Sequence, residues 1–348
     1  MASKGHIQDG HFGLRVYIVF GLVTLLTFIL CVSVGSVAVP PDETVSLIFK
    51  AITGAELPRS SAASIIISSR VPRVLCVALT GAALSLSGAA MQGLLKNPLA
   101  DGSTLGVSSG ASLGAVLAIA LGLEFAALPF AGTMVTAVVF AFVSLLAILS
   151  LAWRMDRSLS TNTIILIGVI YSMFVSSLLA LIVTFASDKV KTITFWTMGS
   201  LAGSSYANAL VLLGALLVGG SIILSKAREL NAFAVGEENA VHIGVNVRRV
   251  RLTVLAAVAL LTGVCVSIGG CIAFVGLVAP HMVRMITGPN HARLLPASAF
   301  GGATFLMLCD LVARIILNPL QLPIGVVTSL IGATLFVVIL YRGRKKAL

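Results

Sequence analysis

KARELNAFAVGEENAVHIGVNVRRVR, residues 226–251, is the one long polar island in an otherwise oily chain. It carries Lys226, Arg228, Glu229, Glu237, Glu238, His242, Arg248, Arg249 and Arg251, and apolar segments of membrane-spanning length flank it on both sides. A helix crosses the hydrocarbon of a bilayer with about 20 apolar residues, so the island lies in water at one membrane face. Gly236 followed by Glu237 and Glu238 predicts a helix start, because negative side chains favour the N-terminal end of a helix dipole. Gly244 predicts its stop. Two readings stay open on these residues alone: a solvated connection between spans, or a surface on which a cytosolic partner docks.

Outward from the island, 58% of the 348 residues are hydrophobic and only 10% charged. Soluble domains are about a quarter charged, so the chain reads as an integral membrane protein. No ten-residue alternating strand patterns occur, which favours an all-α, polytopic architecture over a barrel. The net charge of +11 gathers in short loops between apolar runs without interleaved aromatics, a topological pattern and not a nucleic-acid surface. Cys31, Cys76, Cys265, Cys271 and Cys309 lie in or beside apolar segments without a CxxC pair, and read as small buried hydrophobes rather than disulfides or metal ligands. Lys4 and Arg15 precede an apolar run, and Ser36-Val37-Ala38 resembles a cleavage site. The run from Val16 to Val37 is too long for a signal core and reads as a retained span.

Ten spans are predicted: Leu14–Val37, Arg70–Gln92, one following the polar turn LLKNPLADGSTLG, Phe130–Trp153, Thr161–Phe185, Ala207–Leu224, Leu252–Ile268, the short CIAFVGLVAPHMV, Pro296–Val312 and Pro323–Tyr341. Asp42–Gly54 predicts an amphipathic helix at the membrane surface. Gly106, Gly110 and Gly114 recur every four residues and predict one close-packing helix face. The eighth span is short and holds Pro280; such a break at membrane depth requires burial in protein. With the N-terminus inside, inner segments hold 16 of the 23 Lys and Arg and outer segments 7. That bias places both termini and the island in the cytosol.

No GxxxxGK[ST] phosphate loop occurs, so the chain does not power itself with nucleotide. Asp310 is the main acidic residue within an apolar segment; an ion-gradient transporter needs such groups, and an i, i+4 ion pair with Arg314 is the plainer reading. His281 and Arg284 lie three apart in PHMVR with no second ligand at metal spacing, so His281 reads as structural and a membrane enzyme finds no support. Arg70, Arg73 and Arg314 fall on the outer side against the charge bias. They read either as arginines snorkelling to headgroups or as a basic rim for an external partner's carboxylates.

RVPRVL (70–75), GAALSLSGAAMQGLLKNPLAD (81–101), LGVSSGA (105–111), VGEENAVHIGV (235–245), FVGLVAPHMVR (274–284), LLPASAFGGA (294–303), DLVAR (310–314) and LPIGVVTSLIG (322–332) together resemble the permease subunits of ABC importers for iron-siderophores, haem and cobalamin. The blocks stand in the family's order and cover almost the whole chain. The resemblance implies a single ten-span permease domain over residues 1–348 in a bacterial or archaeal cytoplasmic membrane. A second copy or a paralogue, two ATP-binding subunits and an external substrate-binding protein are the implied partners beside the lipid bilayer. ATP and magnesium belong to the partner subunits, leaving this chain without cofactor or metal. It further implies an ATPase-coupling role for Gly236, Glu237, Glu238, Ala240, His242 and Gly244, and binding-protein docking by Arg70, Arg73 and Arg314. A translocation path is implied along the fifth span and Trp196, Met198, Gly199 and Ser200. Two departures stand out. Gln321 replaces a frequent glutamate and removes an outer negative charge, and Gly332-Ala333-Thr334 lacks a frequent proline, which leaves the last helix straighter.

Overall fold

A computed structural model of the chain describes residues 7–8, 11–35, 37, 39–123, 131–157 and 159–345. Lys4, Ser36, Ala38, Phe130 and Lys346, which entered the reading of the tails, the cleavage-like site and the fourth span, lie outside them. A two-residue antiparallel pair, β1 (Ile7–Gln8) and β2 (His11–Phe12), precedes the helices and, with an isolated bridge between Leu317 and Leu320, makes up the β structure among the described residues of an otherwise all-α chain. The helices are α1 (Leu14–Ser33), α2 (Pro41–Thr53), α3 (Ser61–Ser64), α4 (Val71–Leu94), α5 (Val107–Leu121), α6 (Ala131–Met155), α7 (Thr161–Phe185), α8 (Val190–Thr197), α9 (Tyr206–Ser225), α10 (Ala227–Val235), α11 (Glu237–His242), α12 (Val247–Gly269), α13 (Val275–Thr287), α14 (His291–Ile315) and α15 (Ile324–Lys345). Among the described residues, seven helices are long and apolar enough to cross a membrane, and α5, α13 and the apolar part of α15 are shorter.

The chain is built around α4, α12 and α14. The apolar windows of α4 and α12 are 78% and 72% buried, whereas those of α1 and α7 are 22% buried and face outward from the bundle. Glycines on α4 explain this centre, because a Cβ on Gly81 would overlap the Gly302 carbonyl of α14, and one on Gly88 would overlap the Gly276 carbonyl of α13. Small residues allow helix backbones to meet at such distances where lipid gives no hydrophobic drive between helices. The stripe expected on α5 is modified. Gly110 and Gly114 do pack against Ser144, Phe140 and Thr136 of α6. Gly106 stands outside the helix as its N-cap, at a left-handed φ of 72°.

The second span begins nine residues earlier than its first arginine suggested, because α3, a π-helical turn (Ile65–Arg70) and α4 form one continuous helix over 61–94. Pro72 accounts for the π turn. The Val71 N–H bonds the Ile66 carbonyl, and proline has no N–H to offer the next carbonyl. Ile67 O, left without a helical donor, accepts from the Tyr206 hydroxyl of α9 at 2.6 Å. At the far side, α12 ends at Gly270, and α13 then runs only 13 residues, about 20 Å. It is shorter than a bilayer core and survives buried against α4 and α14.

Candidate functional site

The island folds into two short helices. α10 buries Ala227, Leu230 and Phe233 against the bundle, and α11 starts after Gly236 and ends before Gly244. Glu238, His242 and Gly244 are exposed, together with the apolar side chains of Val235, Val241 and Ile243. Ala240 is fully buried and anchors α11. Glu237 stays partly exposed, and its Oε1 accepts from Nη2 of Arg251 at 2.6 Å. Arg251, predicted in the polar island, is only 2% exposed and also donates to the Leu159 carbonyl.

A second tie joins α10 to the bundle. Asn231 Oδ1 accepts from the His291 backbone N–H at 2.8 Å and lies 2.9 Å from its ring Nδ1. Asn231 Nδ2 donates to Asn290 Oδ1 at 3.0 Å, and that oxygen also caps α14 through Ala292 N–H. Gly93 leaves room for the His291 ring, and the neighbouring Gln92 accepts from Arg284 at 2.9 Å and donates to the Leu277 carbonyl. α10 is thereby tied to α14, which in turn packs on α4 and α13.

At the opposite end, Asp310 Oδ1 accepts from Arg73 Nε and Nη2 at 3.0 and 2.8 Å, while Oδ2 lies 2.9 Å from Arg314 Nε. The i, i+4 pair thus forms and is joined by an arginine from α4. Gln321 accepts from Arg73 Nη1 at 2.6 Å, so the residue lacking the frequent negative charge still closes the network. Arg70 donates to the carbonyls of Val32, Ser33 and Val37, and Arg314 to those of Cys31 and Val34. These carbonyls belong to and follow the last turn of α1, where helical acceptors have no partner and the dipole favours cations. Arg70, Arg73 and Arg314 are buried in this chain, reaching neither into headgroups nor into open solvent. Two guanidiniums, Arg73 and Arg314, share the Asp310 carboxylate, and the third, Arg70, is held by backbone carbonyls.

Trp196, Met198, Gly199 and Ser200 sit over the break between α12 and α13. Ser200 N–H donates to the Gly269 carbonyl at 2.8 Å, and a Cβ on Gly199 would overlap Cys271 O. Trp196 and Ser200 also line a cavity of about 560 Å³ with Lys189, Thr192, Ser204 and Asn208. α7 carries Asn162, Ser176, Ser177 and Thr184 among its exposed residues, at positions that share one helical face.

Asp101 was absent from the sequence-based candidates, since the turn after α4 read as a polar surface loop. The turn instead folds inward: Gly102 lies against Thr262 of α12, and Asp101 against Gly276. Asp101 Oδ1 accepts from Ser103 N–H, Ser103 Oγ and Thr104 N–H at 2.9, 2.5 and 3.0 Å. Burial pushes its carboxyl above the usual range, against the lowering effect of these donors. The NPLADGST run carries the signal in hindsight, because an aspartate two and three residues before Ser and Thr makes a local turn that can be buried. His281 packs edge-on to Phe336, and no group of three metal-binding side chains occurs among the described residues.

Comparison with known proteins bears on the whole chain. The FecCD transport family matches residues 23–342. The uncharacterized ABC transporter permease protein YvrB of Bacillus subtilis is 40% identical over 330 residues, covering 94% of this chain and 93% of its own. The cobalamin import system permease protein BtuC of Halobacterium salinarum is 37% identical over 285 residues, covering 80% and 74%. Among solved structures, a metal-chelate type ABC transporter in an inward-facing conformation superposes with a TM-score of 0.82 at 31% identity, covering 94% of this chain and 99% of that one.

Proposed function

Because the chain belongs to the FecCD transport family and is the permease component of an ABC importer, we propose that it carries an iron chelate or a similarly bulky metal complex into the cytoplasm. It is a transport component, with ATP hydrolysis in separate subunits. In this reading two ATPase subunits, which bind ATP and magnesium, dock on the island in the cytosol, and a second copy or a paralogue completes the path. Both termini lie in the cytosol. The observation that carries the proposal is α10–α11: a solvent-facing surface bearing Val235, Glu238, Val241 and Ile243, fixed to the bundle through Asn231 and Arg251. A motor outside the membrane needs such a surface, and a loop that merely connects spans does not need those ties.

The excess of guanidiniums around Asp310 supports docking of an external binding protein, whose carboxylates would meet Arg70, Arg73 or Arg314 after a local opening. Asn162, Ser176, Ser177 and Thr184, set among the apolar Leu166, Val169 and Met173 on the exposed face of α7, together with the 196–200 segment support a path between two permeases, with small hydroxyl side chains and no fixed ligand set for a bare ion. Haem, cobalamin or an oxyanion is the alternative cargo for the same architecture. The ion-gradient reading of Asp310 is set aside by the family membership, and its carboxylate is already held by two arginines.

Proteoliposomes holding the permease with its ATPase and binding protein test the proposal. Uptake of a radiolabelled ferric siderophore should require ATP and the binding protein, with haemin, cyanocobalamin and molybdate as competitors. ATP-independent uptake, or preference for a competitor, refutes the transport mode or the cargo respectively. Asn231→Ala is expected to leave ATPase assembly intact while uptake per ATP hydrolysed falls about tenfold, a change matching about 1.4 kcal/mol of lost coupling. Equal losses of assembly and uptake would make Asn231 a purely structural residue.

A further inference from the structure

At the end of the bundle opposite the island, a groove of about 550 Å³ runs between α1, α2, the π turn, α4 and the start of α9. Leu25, Phe28, Ile48, Ile52, Val71 and Leu75 are among its walls, and Tyr206 is its one polar side chain. That hydroxyl is already donated to the Ile67 carbonyl orphaned by Pro72, so the groove offers no free donor to a polar ligand. It is distinct from the cavity beside Trp196, and the inference does not depend on the transport reading.

We propose that the groove binds one acyl chain of a phospholipid from the leaflet on that side. Its walls lie beside further exposed apolar surface: Leu22, Leu26 and Leu30 on α1, and Val45, Phe49 and Ile52 on α2. α2 is amphipathic, with Thr44 and Leu47 buried against the protein and Asp42, Glu43 and Ser46 outside; such a helix lies in the plane of the membrane interface. The groove therefore opens at the depth where acyl chains begin. Lys50 in the last turn of α2 and the exposed Arg59 beyond it supply cations for the phosphate, and Tyr206 is an aromatic of the kind that seats at this boundary. A chain held there packs on Ile67 of the π turn and on Val71 and Leu75 of α4, and so supports the helix that presents the arginine cluster.

The test uses the full chain, reconstituted in nanodiscs of phosphatidylethanolamine and phosphatidylglycerol and then transferred to detergent. Native mass spectrometry should show one phospholipid retained per chain. Ala51→Trp, which fills the groove, should lose it, and Leu22→Trp, outside the groove on α1, should keep it. No retained phospholipid, a retained detergent in its place, a dimer that Ala51→Trp dissociates, or equal retention in both variants overturns the proposal. Should Ala51→Trp fail to fold, Phe28→Trp gives an independent reading. Its quenching by brominated acyl chains should persist after transfer to detergent, whereas that of Leu22→Trp should vanish; equal loss overturns the proposal as well.

Discussion

Replacing Asp310 with alanine is expected to remove most of the folded protein. The carboxylate is 1% exposed and accepts from Arg73 while pairing with Arg314, both of them buried. Its loss leaves two guanidiniums beside a third, Arg70, with backbone carbonyls and Gln321 as their acceptors. Breaking a buried pair by deleting one partner costs about 3–5 kcal/mol, because the remaining charge cannot return to water. Here α14, α4 and the end of α1 lose their common tie together. Thermal unfolding of the purified chain in detergent, followed by the fraction that elutes as a monodisperse peak, measures the effect. Asp310→Asn should fall between the two, since it keeps an acceptor but no charge. An Asp310→Ala protein that unfolds at the wild-type temperature would show that the cluster bears no such charge burden. A residue coupling transport to an ion gradient would behave differently, losing uptake while its fold stayed intact.

The parts of this architecture that were legible in the sequence are those set by neighbours along the chain. Hydropathy placed α1, α6, α7, α9, α12 and α14 within a few residues, Gly236 and Gly244 bracket α11, and the Asp310–Arg314 pair follows from helical spacing. Each depends on an interval of four residues or on composition over a span. What stayed hidden depends on which helices become neighbours. Arg73 meets Asp310 from 237 positions away and Tyr206 meets Ile67 from 139, and neither local charge nor local hydropathy encodes such a partner. Arginines near a span end therefore look like surface residues until the fold supplies acceptors for them. Asp101 was obscured for the converse reason: a polar turn was assumed to face water, although its own hydroxyl and amide donors allow it to fold inward.

The sharpest functional contrast lies between two adjacent carboxylates, Glu237 and Glu238. The family resemblance implies an ATPase-coupling role for both, and both stand in the first turn of α11. The geometry separates them. Glu237 is spent on Arg251, whose side chain is 2% exposed, so Glu237→Lys places a second cation beside a buried guanidinium. That substitution is expected to cost about 3 kcal/mol, the lower end for a broken buried pair, because Glu237 itself is still 33% exposed and water relieves part of the repulsion. α11 should detach from α12, and thermal stability and uptake should fall together. Glu238 is exposed and has no such internal duty. Glu238→Lys should leave stability within about 0.5 kcal/mol of wild type, yet weaken ATPase docking and lower ATP-driven uptake, with a dependence on salt. A double change, Glu237→Lys with Arg251→Glu, should recover only part of the stability, since the reversed pair forms but a glutamate cannot donate to the Leu159 carbonyl, and no such rescue can come from a change made at Glu238. If Glu238→Lys instead assembles and transports normally, the exposed apolar side chains Val235, Val241 and Ile243 carry the contact, and the docking surface is hydrophobic rather than charged.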